Sequence, residues 1–283
     1  MQFTTRRTRL AGAAVAISAL FALTACAGSA EEPAAAPAAA GDDLGTITVG
    51  ALATPAGDIL KFVQDNLAAD AGLDIKFQEF TDYNTPNVAL TDGSIDANLF
   101  QNSTFLETYN TQAGDDLVSV GEIYLPSAAF YSDTVTSLDD LKDGATIAIP
   151  NDPTNSGRAL LLIAKQGLIT LKDPDNIMAT RLDIVSNPKH LKFQELEAAM
   201  LPRVLNQVDL ALINANYALE AKLEPHKDAL FIESSESPYA NYLYVRRDKA
   251  NAPAVLKLGA LLNSPEVKKF ILERYHGDVV PAF

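Results

Sequence analysis

Several kinds of chemistry are missing from this chain. It holds one cysteine, Cys26, so no disulfide can form within it. Its three histidines, His190, His226 and His276, lie far apart and none forms a ligand-spaced pair, so no metal site is expected. There is no Gly-x-Ser-x-Gly elbow, no Gly-x-x-x-x-Gly-Lys loop and no Gly-x-Gly-x-x-Gly turn, so neither a serine hydrolase nor a nucleotide cofactor is indicated, and no cofactor is expected. Positive charge is scarce: 22 Lys and Arg stand against 36 Asp and Glu, a formal net charge of −14. Such a chain is a poor partner for nucleic acid or for an anionic membrane surface.

Long apolar runs are equally absent, with one short exception. Leu10 to Ala25 is apolar and small-sided behind Arg6, Arg7 and Arg9, and it ends in Leu-Thr-Ala-Cys. A basic head, a short apolar stretch and a small-residue cleavage site describe an export signal, too short for the ~20 residues of a membrane span. The Leu23–Cys26 tetrad resembles the bacterial lipobox, which implies that residues 1–25 are removed and Cys26 is lipidated. Cleavage removes three arginines and no acid, leaving the mature chain at −17. Residues 26–43, Ala- and Pro-rich and acidic, read as a disordered tether that holds the protein at the extracytoplasmic face of the cell membrane.

About 240 residues remain from Leu44, and strand and helix patterns alternate along them. Thr46–Gly50 and Leu73–Phe77 alternate as strands, and Pro55–Ala69 carries apolar residues at helical spacing between them. Ile147–Ile149 is followed by turn-rich Asn151–Gly157, then by a helix expected over Ser156–Gln166. Such alternation implies mostly parallel sheets covered by helices, with the ligand site beyond the carboxyl ends of the strands. Asp92, Asp96, Asp139 and Asp140 sit at turns and helix starts, where capping accounts for them.

One residue stands out. Arg158 lies at the expected helix entrance, where the dipole is already positive. It reads either as a surface arginine or as part of an anion site, in which loop amides, the helix N-terminus and a bidentate guanidinium fork converge on one carboxylate or phosphate. If an acidic protein binds an anion, a focused site of this kind is required.

The segments "PNDPTNSGRALLL", "TDYNTPNVAL", "GSIDANLFQ" and "ESPYANYL" together resemble the NlpA-type methionine-binding lipoproteins. These are the solute-binding components of bacterial methionine importers of the ATP-binding-cassette class. The resemblance runs from about Ile47 to the C-terminus. It implies an α/β, two-lobe periplasmic-binding-protein fold of the second type, with parallel-type sheets and a two-segment hinge. Lobe I would comprise residues 44–128 plus 237–283, and lobe II residues 129–236. The implied partners are a methionine-like amino acid, the importer's permease and ATPase subunits, and the membrane through the lipid anchor. The family's carboxylate-binding arginine corresponds to Arg158, and its two asparagines to Asn214 and Asn241. Its aromatic contacts correspond to Tyr83 and Phe100, and Asn102 stands where the family usually has a histidine. These residue types suit a zwitterion: a cation for its carboxylate, amide carbonyls for its ammonium and aromatic edges for a thioether. The bland readings are a helix cap for Asn214, a loop residue for Asn241 and core packing for Tyr83 and Phe100. The alternative function is an enzyme of dehydratase type on the same architecture, which would need an acid–base pair near Arg158.

Overall fold

The computed structural model describes residues 43–283. The expected signal peptide, Cys26 and all of the tether except Asp43 lie outside the described residues.

Two sheets carry the fold. In the first, β1 (Gly45–Leu52) runs parallel to β2 (Leu73–Phe80) on one side and to β3 (Ala97–Leu99) on the other. Beyond β3 come β12 (Asn241–Val245), β4 (Val118–Pro126) and β13 (Val279–Pro281), all paired antiparallel. In the second sheet, β10 (Leu210–Asn214), β6 (Thr146–Pro150) and β9 (Lys192–Leu196) are parallel. There β5 (Ala128–Tyr131) and β11 (Phe231–Ile232) pair antiparallel at the β10 edge. A ribbon of β7 (Thr170–Leu171) and β8 (Ile184–Ser186) lies apart. The sheets are therefore mixed, which corrects the expectation of parallel-type sheets. The antiparallel pairings adjoin the passages between sheets, where β4 leads directly into β5 and β12 returns after β11. The parallel pairings are left to strands joined by crossovers that contain helices.

The helices cover these sheets. In the first half they are α1 (Asp58–Val63), α2 (Thr85–Thr91) and α3 (Ser103–Ala113). Then come α4 (Pro153–Lys165), α5 (Ala215–Glu220), α6 (Pro225–Asp228), α7 (Pro253–Leu262) and α8 (Pro265–Tyr275). The first core joins Ile47 and Val49 of β1 to Ile59, Leu258 and Ile271 of α1, α7 and α8. The second joins Ile147 and Ile149 of β6 to Leu160 and Ile163 of α4 and Leu210 of β10. Each fully buried Leu or Ile contributes about 1.5–3 kcal/mol, which is why the strands sandwiched by helices are almost wholly apolar.

Helix α4 starts one turn earlier than its sequence suggests. Asp152 caps it by accepting from Asn155 N at 2.8 Å, and Pro153 takes the first helical position. Arg158 thus belongs to the second turn, not to the helix entrance, and the mismatch with the dipole disappears. Its neighbour Gly157 permits a close approach: a Cβ there would stand 2.4 Å from Ile177 O.

Candidate functional site

Between the two sheets lies a cleft lined by polar amides, one arginine and aromatic rings. It opens beyond the carboxyl ends of β1, β3, β6 and β10, as the alternation of elements implies. All six side chains expected to meet a ligand line it: Tyr83, Phe100, Asn102, Arg158, Asn214 and Asn241. They arrive on different elements. Tyr83 follows β2, and Phe100 and Asn102 follow β3. Arg158 lies on α4, Asn214 ends β10 and Asn241 opens β12.

The apolar wall is larger than Tyr83 and Phe100. Their ring centroids are 6.0 Å apart, and Phe105 stands edge-on to both, at 5.9 and 5.8 Å. Tyr217, which does not line the cleft, supports the wall from behind at 5.1 Å from Tyr83. Burial pushes the Tyr83 hydroxyl well above its usual range, so it stays a neutral donor, and it donates to Asn216 Oδ1 at 2.6 Å. That bond crosses the cleft, and outside it Asn84 Nδ2 donates to Glu197 Oε1 at 2.9 Å.

Arg158 is 2 % exposed and is neither a surface arginine nor a free cation. Its Nε donates to Glu233 Oε1 at 2.9 Å, its Nη2 donates to Glu233 Oε2, and Nη2 also donates to Pro126 O at 3.0 Å. Tyr239 stacks on its guanidinium, 4.5 Å from the ring centroid. The planar fork is therefore engaged by the protein's own carboxylate. Nη1 is left as the guanidinium nitrogen without a partner among the described residues. The helix N-terminus is likewise already served, by Asp152. Convergence of the helix N-terminus and a bidentate Arg158 fork on one ligand anion is thus corrected to a single charged donor held rigidly by Glu233. An anchored guanidinium loses little freedom when it takes a ligand, which favours binding.

The amides divide into donors and acceptors. Asn214 Nδ2 donates to Asn155 Oδ1 at 2.8 Å, and Asn214 Oδ1 is buried without a partner among the described residues. Although Asn214 occupies the capping position of α5, its side chain makes no capping bond. Asn241 Nδ2 donates to Tyr124 Oη at 3.0 Å, leaving its Oδ1 for another donor. Asn216 Nδ2 is buried and unpartnered among the described residues. Asn102 has a second duty: its Oδ1 caps α3 by accepting from Phe105 N at 3.0 Å, while its Nδ2 makes no bond among the described residues and is free to serve the cleft. Behind it, the carboxamides of Asn87, Asn98 and Gln101 bond to one another and fix the segment carrying Phe100 and Asn102.

Reasoning from sequence missed Glu233, Asn155, Asn216, Phe105 and Tyr217. The signal for Asn216 was the Asn-Ala-Asn run at a strand end, and for Asn155 its place in the Pro-Thr-Asn loop. Glu233 offered only a charge at the end of an apolar strand. No Asp, Glu or His side chain lines the cleft among the described residues, and Glu233 faces away from it. No group of three or more His, Cys, Asp or Glu among the described residues could hold a metal ion.

The chain matches the NlpA lipoprotein family model over residues 47–283. It is 39% identical over 273 residues to a probable D-methionine-binding lipoprotein of Pasteurella multocida, covering 96% of this chain and 98% of the relative. A nutrient binding protein from Burkholderia cenocepacia, solved bound to methionine, superposes with a TM-score of 0.81 at 47% identity, covering 84% of this chain and all of the other. A periplasmic substrate-binding protein of an ABC transporter from Coxiella burnetii superposes at 0.80 with 44% identity, covering 83% of this chain and all of that one. With this match over most of its length, and with the two-lobe fold that it shares with these structures, the chain belongs to the NlpA lipoprotein family.

Proposed function

We propose that this protein is a lipid-anchored, extracytoplasmic solute-binding protein that captures methionine between its lobes and delivers it to an ABC importer. The observation that carries the reading is the pattern of free polar groups in one cleft. Arg158 Nη1 offers a charged donor for a carboxylate, Asn214 Oδ1 and Asn241 Oδ1 offer acceptors for an ammonium, and the rings of Tyr83, Phe100 and Phe105 wall off the remainder. A zwitterion with an apolar tail satisfies all three, and a thioether packs well on aromatic edges. The relatives named for D-methionine and the neighbour bound to methionine support the same ligand.

The lobes are proposed as residues 44–128 with 237–283, and 129–236, joined by two hinge segments. The exchange of strands between sheets, at Pro126–Ala128 and between Ile232 and Asn241, supports these limits. Cross-cleft bonds such as Tyr83–Asn216 would close the lobes over the ligand. Anchoring is assigned to acylated Cys26 on the strength of the lipobox-like Leu23–Cys26 tetrad behind a basic head and short apolar stretch. One acyl chain gives only marginal binding, so two or more are expected. Delivery requires the importer's permease and ATPase subunits as partners. Nothing lining the cleft favours the dehydratase alternative, since Glu233 is held by Arg158 on the far side.

Native mass spectrometry of the protein purified without denaturation tests the ligand. Methionine co-purifying at one per chain is expected. A different molecule in its place would overturn the methionine reading and leave the binding fold standing.

A further inference from the structure

Asn214 Oδ1 is buried in the cleft wall, on a residue 6% exposed, and takes no hydrogen bond among the described residues. A carboxamide has two ends of nearly equal shape, and only its partners decide which one faces the ligand. Here the partners form a chain. Asn214 Nδ2 donates to Asn155 Oδ1 at 2.8 Å, and Asn155 Nδ2 donates to both carboxylate oxygens of Asp152, at 3.0 Å each. The direction of this chain is set at its far end, because an ionised carboxylate can only accept. Asn155 must therefore turn its NH₂ to Asp152 and its oxygen to Asn214. Asn214 must turn its NH₂ back to Asn155, which leaves oxygen as the atom on offer. Each bond also polarises the next, so the terminal oxygen is a stronger acceptor than that of an isolated amide.

We propose that Asp152, acting through Asn155, is a specificity-determining positioning residue that makes Asn214 an obligate acceptor, so that the cleft selects an ammonium group at this point. This inference rests on the reading of the cleft as an amino-acid site. Asp152 does not line the cleft. Its capping bond from Asn155 N does not account for the choice of aspartate, since Asn, Ser or Thr caps a helix comparably. Only a residue that cannot donate fixes the direction of the relay. Desolvation raises the Asp152 carboxyl above its ordinary value, opposed by the Asn155 bonds and by Arg158.

The test uses the mature chain and two ligands, methionine and 4-(methylthio)butanoate, which is methionine without its amino group. Wild type should prefer methionine strongly. Asp152→Asn keeps the cap but lets both amides flip. It should weaken methionine about tenfold, the difference between a charge-assisted and an ordinary hydrogen bond, and leave the desamino compound unchanged. The paired substitution Asp152→Asn with Asn155→Asp moves the acceptor-only group one step along and conserves charge. It should restore most of the preference, which a purely structural role for Asp152 would not. An unchanged preference in Asp152→Asn, equal loss of both ligands, or failure of the pair to rescue would each overturn the proposal. A wild type that binds neither compound would fail the methionine reading itself, whereas one that binds both alike would fail only the relay.

Discussion

Replacing Arg158 should damage stability and binding together, and the Arg158–Glu233 pair allows the two effects to be separated. Both side chains are almost excluded from solvent, at 3% and 6% exposure, so the pair is little screened. In Arg158→Met the Glu233 carboxylate stays buried, with Ala128 N at 3.5 Å as its remaining donor. Stranding one member of a buried pair costs about 3–5 kcal/mol. At ~2–4 °C per kcal/mol for a domain of this size, Tm should fall by roughly 6–20 °C. Arg158→Met/Glu233→Leu removes the stranded charge as well. Replacing a buried pair by apolar side chains is often neutral, so most of the lost Tm should return. Binding should not return. The ligand's carboxylate would still lack the charged donor at Nη1, worth about 1.5–3 kcal/mol, or about 10- to 150-fold in affinity. Scanning calorimetry and titration calorimetry on the three proteins make the comparison. If affinity recovers together with Tm in the double variant, Arg158 serves only the fold and its assignment to the ligand is wrong.

Other substitutions probe the remaining parts. Asn241→Ala removes the acceptor of the first-sheet side, so it should weaken methionine binding and abolish ligand-induced compaction in small-angle scattering, while Tm falls by only a few degrees for the lost bond to Tyr124 Oη; full compaction would argue against its role in closure. Asn102→Ala removes the α3 cap at a cost of about 1 kcal/mol, so Tm should drop by ~2–4 °C. Because its Oδ1 is already committed to Phe105 N, methionine affinity should change less than tenfold, and a larger loss would make Asn102 a principal contact. Cys26→Ala, expressed with the signal, should leave the membrane fraction or remain uncleaved; equal membrane retention of variant and wild type would refute lipid anchoring.

Much of this was readable from the chain because local rules were obeyed locally. Strand β1, helices α7 and α8 and the strand at Leu210–Asn214 all follow apolar period and start signals such as Ser264-Pro265. The six cleft side chains were placed by resemblance of motifs; apolar period alone does not bring Tyr83, Arg158 and Asn241 together. What escaped has specific causes. Asp152-Pro153 was taken as turn chemistry when it caps α4, which put Arg158 in the wrong turn. Strand direction depends on where the chain changes sheet, and no periodicity encodes that. Strands β5 and β13, four and three residues long, are too short to show a period. Glu233 pairs with Arg158 across 75 positions, a distance at which one sequence carries no pairing signal. The helix read over Pro55–Ala69 lies within a helical run from Ala53 to Ala71, but Thr54 in extended geometry and the widened turns around α1 were not legible.

The central claim is that the cleft takes methionine through Arg158 and Asn214. Titration calorimetry of the mature, ligand-stripped protein with L-methionine and, separately, D-methionine tests it most directly. Saturable binding at one molecule per chain is expected for at least one enantiomer, with a branched-chain or acidic amino acid binding far more weakly. No heat with either enantiomer, alongside tight binding of such an unrelated amino acid, would contradict the account.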